Sequence, residues 1–147
     1  MRVLFVAMNL HTPVIRVFSH GIGSLSAVAK QHGHEIEVVE INFERELIKK
    51  LPQALQKFQP DVVGMNGPAN QSPYFKDVVE LSRRVVPEAR VLIGGWHATI
   101  EPEGTLRGSG ADAVVSGEGE ITLMHLLEAM ERGEEGLDAP NLWYWRD

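Results

Sequence analysis

The chain has 147 residues, no cysteine and a formal charge of −6, with 14 Lys and Arg against 20 Asp and Glu. That length suits one domain burying roughly 68–70% of its unfolded surface, and two domains would be too thin. The missing cysteines exclude disulfides, thiolate metal sites and cysteine-held iron–sulfur clusters within these residues, and the acidic balance, without a basic stripe, argues against nucleic acid as a partner.

Arg2-Val3-Leu4-Phe5-Val6-Ala7-Met8 is a continuous apolar run, as expected of a strand covered on both faces. A loop from Asn9 to Pro13 follows, and Ser24 to Gln31 then spaces Leu25, Val28 and Ala29 as a helix, stopped by Gly33. Glu35 to Ile41 reads as a second strand, and Phe43 to Phe58 as a helical region broken near Pro52. Pro60 introduces a third strand, Asp61 to Met65, and a helix is expected from Pro73 to Val86. Arg90 to Ile93 is a fourth strand and Ala113 to Val115 a short fifth. Ile121 to Met130 is the last helix, with Glu118 and Glu120 suiting the positive end of its dipole. Gly133 to Gly136 reads as a turn, and Asn141 to Trp145 as a candidate sixth strand at the edge. No apolar run approaches the ~20 residues of a membrane span. No charged, cleavable leader precedes the first strand, so a cytoplasmic location is expected.

Strand and helix alternate throughout, which predicts a parallel sheet with helices on both faces. Right-handed crossovers leave few topologies. The expectation is a single three-layer, Rossmann-like α/β domain with five parallel strands in the flavodoxin-like order 2-1-3-4-5.

In such a sheet the loops after the strands converge at one edge, where ligands bind. Here they read Asn9 to Pro13, Asn66 to Ser72, Gly94 to Thr99 and Ser116 to Glu120, rich in glycine, amides and hydroxyls but poor in charge. That lining suits a large neutral ligand better than a phosphate. Three familiar occupants of the fold fit poorly. Asn9 to Pro13 is no Ser/Thr/Gly-rich cradle for flavin mononucleotide. A phospho-receiver needs paired acids after strand one and an aspartate ending strand three, whereas Asp61 begins that strand. Gly21-Ile22-Gly23-Ser24-Leu25-Ser26 lacks the third glycine of a dinucleotide turn and lies too far from the strand.

Several segments, read in order, resemble the cobalamin-binding domain that precedes the barrel in cobalamin-dependent radical S-adenosylmethionine enzymes. They are Gly23 to Ala29, Gly33 to Val39, Pro60 to Met65, the turn Gly94-Gly95-Trp96-His97-Ala98-Thr99 with Pro102-Glu103, and Gly117-Glu118-Gly119-Glu120 with Thr122. The resemblance spans nearly the whole chain and implies base-off binding. The corrin then sits on the carboxyl edge of the sheet and the dimethylbenzimidazole tail threads beside it. Cofactor contacts are implied for Asn9, His11 and Thr12, for Gly64, Asn66, Gly67 and Ser72, for Gly94, Gly95, Trp96 and His97, and for Ser116, Gly117 and Glu118. Glycine matters there because the tail needs loops without bulky side chains.

Two residues depart from the methionine synthase type of cobalamin domain, which carries Asp-x-His-x-x-Gly after strand one. Here Asn9-Leu10-His11-Thr12-Pro13-Val14 keeps the histidine, making His11 a candidate cobalt ligand, but lacks the aspartate that would orient it. Asn66 stands where relatives often place a serine that bonds the tail base. Three roles are open to His97: cobalt ligand, hydrogen-bond partner of a corrin amide, or helix-entry residue. Trp96 either covers ring or tail surface or packs on the neighbouring helix.

Radical chemistry of this kind needs three clustered cysteines for a [4Fe–4S] cluster, which this chain lacks. The expected role is a cobalamin-holding module, residues 1–140, of an enzyme, a methyltransferase by preference. A further C-terminal domain would carry the cluster and S-adenosylmethionine and cover the corrin, with residues 141–147 as edge strand or the start of a linker to it. The rival reading is a degenerate domain of the same fold that binds no corrin and serves docking or substrate recognition.

Overall fold

The apolar runs become the interior of one mixed sheet. A computed structural model describes residues 1–11 and 19–145; Thr12 lies outside them. Its strands are β1 (Arg2–Met8), β2 (Glu35–Ile41), β3 (Val62–Asn66), β4 (Arg90–Gly94), β5 (Ala113–Val115) and β6 (Leu142–Trp143). They lie in the order β2-β1-β3-β4-β5-β6. The first five are parallel, and β6 joins β5 antiparallel at the edge. Order and layers are those expected from the alternation of strand and helix.

Successive strand side chains point to opposite faces, so the sheet has two cores. On one face Leu4, Val6, Met8, Val63, Met65, Val91 and Ile93 pack against α2 (Glu44–Phe58), α3 (Phe75–Val85) and α5 (Pro102–Ser109). On the other, Val3, Phe5, Val62, Leu92 and Ala113 meet α1 (His20–Gln31) and α6 (Glu120–Glu131) through Ile22, Ala29, Leu123, Leu126 and Leu127.

The helices depart from expectation in instructive ways. α1 begins at His20 rather than Ser24, because Ser19 caps it: its Oγ accepts from the Ile22 N–H at 3.2 Å. Pro52 does not break α2. The carbonyl it leaves unpaired belongs to Ile48, which is exposed and so open to water. Buried Leu47, Leu51, Leu55 and Phe58 pin the helix on both sides of it. Pro73 lies in a 3₁₀ turn, Ala69–Tyr74, and α3 starts only at Phe75. Between β4 and β5, where the sequence reading bounded no helix and offered only a helix-entry role for His97, α4 (Trp96–Ile100) leads into α5. Pro102 opens α5 at a position that needs no N–H, and Gly110 closes it with φ 71°.

Candidate functional site

Register sets the site. At the carboxyl edge Ala7 aligns with Asn66 and Asn66 with Gly94; two residues further in, Phe5 aligns with Gly64 and Gly64 with Leu92. These positions share the face that α1 and α6 cover. Between that face and the two helices lies a cavity of about 270 Å³. Asn66, Gly94, Gly95, Trp96, Gly117 and Glu118 line it near the rim, and Phe5, Val62, Leu92, Leu123 and Leu126 line it inside. A second cleft of about 250 Å³ lies on the rim between Ala7, Asn9, Ser19, Gly67 and Gln71. Asn66, Gly95 and Trp96 border both spaces.

The glycines serve this arrangement differently. A Cβ at Gly64 would lie 2.7 Å from the Phe5 ring, so the ring occupies that space and keeps against the strand. Gly95 has φ 91°, and a Cβ there would meet Asn66 Cβ at 3.0 Å. Gly67 backs onto Gln71, whose Cβ would be 2.8 Å away. At Gly94 the nearest atom would be the Val115 carbonyl oxygen at 3.8 Å. Packing within the chain therefore does not demand glycine at 94, and the space beside it belongs to the cavity. Neither Trp96 nor Met65 plugs the slot. Trp96 is 74% exposed, and Met65 is buried in the core on the opposite face.

Hydrogen bonds tie the rim together. Thr99 Oγ1 donates to the Gly95 carbonyl at 2.9 Å and accepts from the Gly117 N–H at 2.8 Å, joining the loops after β4 and β5. Asn66 Nδ2 donates to Ser19 Oγ at 2.8 Å, linking β3 to the cap of α1. Ser24 donates to Glu120 at 2.6 Å between α1 and α6. Buried Gln71, which sequence reasoning passed over, pairs through its amide with both backbone groups of Leu10, at 3.1 and 2.7 Å. It fixes the loop after β1 to the turn after β3.

The remaining expected residues are placed as follows. Asn9 lines the rim cleft, and its N–H donates to the Ile41 carbonyl. Ser72 sits in the 3₁₀ turn, donating to the Ala69 carbonyl at 2.8 Å, and lines neither space. Ser116 accepts from Trp143 Nε1 at 3.2 Å and belongs to the β5–β6 edge. His97 turns its ring toward Phe75, with centroids 6.0 Å apart, and also lines neither space.

His11, with φ 56°, is exposed beside Tyr74 and Glu44. Its Nε2 lies 2.5 Å from Tyr74 Oη and 3.2 Å from Glu44 Oε1, while Tyr74 Oη donates to the same carboxylate at 2.7 Å. With the tyrosine proton on Glu44, the tautomer carrying its hydrogen on Nε2 is the one that satisfies both contacts. The bonds from Tyr74 and then His11 hold the Glu44 carboxyl below its usual range, and Glu44 in turn raises Tyr74. Among the described residues no cluster of three or more His, Cys, Asp or Glu is placed to hold a metal ion. No helix among them is long and apolar enough to cross a membrane.

The B12 binding domain family matches residues 10–127, and the chain belongs to it. An uncharacterised methyltransferase of Pyrococcus horikoshii is 27% identical over 141 residues, covering 92% of this chain and 30% of the relative. The cytidylyl-2-hydroxyethylphosphonate methyltransferase of Streptomyces wedmorensis is 29% identical, with coverage of 86% and 27%. Among solved structures, the radical S-adenosylmethionine methyltransferase TsrM from Kitasatospora setae, with cobalamin and a [4Fe–4S] cluster bound, superposes with a TM-score of 0.82. It is 21% identical, over 99% of this chain and 27% of TsrM. The chain thus spans less than a third of the length of each of these proteins.

Proposed function

We propose that this domain binds cobalamin base-off, the corrin resting on the rim cleft and the nucleotide tail entering the slot beside the sheet. The observation that carries the reading is the slot itself: it is apolar within, bordered by Gly94 and Gly95, and continuous in lining with the rim. An apolar tail base leaving water for such walls gains roughly 25 cal/mol per Å² of surface buried. Asn66 stands at the junction, where its second amide hydrogen can meet a ring nitrogen of the tail. Trp96 offers an exposed apolar face to the corrin edge.

Bound cobalamin supplies a cobalt centre able to carry a methyl group, and this chain's part is to hold and orient it. We assign His11 no part in holding that cobalt, since its Nε2 faces Tyr74 and Glu44 and it lines neither space. We place the domain in a radical S-adenosylmethionine methyltransferase, in which another domain holds the cluster and S-adenosylmethionine and covers the exposed corrin face. Both methyltransferases named above and TsrM support this reading. Mixing the purified chain with hydroxocobalamin, desalting and recording the visible spectrum tests it. Retained colour with base-off bands is expected, and a colourless protein would leave only the fold and point to the docking role.

A further inference from the structure

We infer that the slot selects among corrinoids by the polarity of the tail base, favouring an apolar benzimidazole or phenol over a purine. The inference rests on the tail entering the slot, as proposed above, and its ground is that the slot's polar side chains are engaged or stand at its rim, while the walls further in are apolar. Thr99 uses its hydroxyl twice, on Gly95 and Gly117. Thr122, buried, donates to the Pro140 carbonyl at 2.7 Å. Glu120 accepts from Ser24, and Glu118 is exposed at the mouth. Asn66, at the rim, gives one amide hydrogen to Ser19 and keeps the other together with its Oδ1.

Further in, the side chains at the level of Gly64 are Phe5 and Leu92, with Leu123 and Leu126 opposite on α6. One ring nitrogen is what a detached benzimidazole presents, and Asn66 can satisfy it at the rim. A purine brings an exocyclic amine and further ring nitrogens, which these walls would leave without partners. Unpaired buried polar groups discriminate strongly between otherwise similar ligands.

The test is a titration of the intact domain, read by visible spectrum, with four corrinoids: cobalamin, its adenine-bearing analogue, a phenol-bearing analogue and cobinamide, which has no tail base. The adenine form is expected to bind on the order of tenfold or more weakly than cobalamin, and the phenol form to bind as tightly as cobalamin. Adenine is the weaker base toward cobalt and detaches more readily, so the ease of reaching the base-off state opposes this order. Adenine and benzimidazole forms binding within twofold of each other would overturn the selectivity while leaving cobalamin binding intact. Cobinamide binding as tightly as the phenol form, neither of which has a base to detach from cobalt, would show that the slot holds no tail, and would overturn both readings.

Discussion

At the scale of single residues, the site depends on what fills the space beside each glycine. Phe5 stands over Gly64 because nothing projects from that position. Gly64→Ala should therefore push the ring toward the slot. Overpacking of this kind costs about 1–3 kcal/mol, so a lower thermal midpoint is expected together with loss of cobalamin retention. Retention unchanged at a lowered midpoint would separate Gly64 from the site. His11 gives a second prediction. With Nε2 engaged by Tyr74 and Glu44, His11→Ala should leave the cobalt absorption bands of the loaded domain where they were; a shift would make His11 a ligand after all. Asn66, Gly67, Gly94 and Gly95 were legible in the sequence as candidates because they end or follow apolar strands at the edge where open sheets bind ligands. Phe5 and Gln71 were not. One is hidden in a uniform apolar run, and the other is a buried amide in a loop, for which no periodic signal exists.

At the scale of elements, the latch between two loops makes the slot's outer wall. Thr99→Val keeps the shape of the side chain but leaves the Gly117 N–H without its partner. A loss of about 1 kcal/mol in stability is expected. Faster hydrogen exchange at the Gly117 amide should accompany it, with both effects largely reversed in Thr99→Ser. An unchanged exchange rate would mean that the loop after β5 holds itself in place. The element pattern shows where sequence reading works. β1, β2 and β5 begin and end at the residues expected: β1 and β5 because buried parallel strands are unbroken apolar runs, and β2, at the sheet edge, because apolar residues interleave with Glu35, Glu37 and Glu40. The helices were read less well. Gly21 and Gly23 mask the first turn of α1, whose start is set by the Ser19 cap. α4 and α5 are too short to show a period, although Pro102 and Gly110 mark the ends of the second.

At the scale of the whole molecule, the candidate site and a buried histidine lie at opposite edges of the sheet. The slot and the rim cleft lie at the carboxyl ends of the strands, while His34 is buried just before β2, within reach of the Met1 amino group at 3.3 Å and Glu131 at 3.4 Å. Burial, then the amino group and His32, lower its pKa from 6.5, against the pull of Glu131 and Glu128. The unfolded chain consequently takes up this proton first as the pH falls. The stabilising contribution is present in full above pH 6.5 and is lost as the pH drops through the depressed native value. The urea midpoint should fall between pH 7.5 and pH 5, and fall less in His34→Gln; equal slopes in the two proteins would remove His34 from the account.

The whole account rests on the tail lying between the sheet and α1 and α6. In the domain loaded with diamagnetic hydroxocobalamin, nuclear Overhauser contacts between the benzimidazole protons and the protein report this directly. The account predicts contacts to the Leu92 and Leu123 methyls and the Phe5 ring. Contacts confined to Trp96 and the rim, with none to those three side chains, would contradict it.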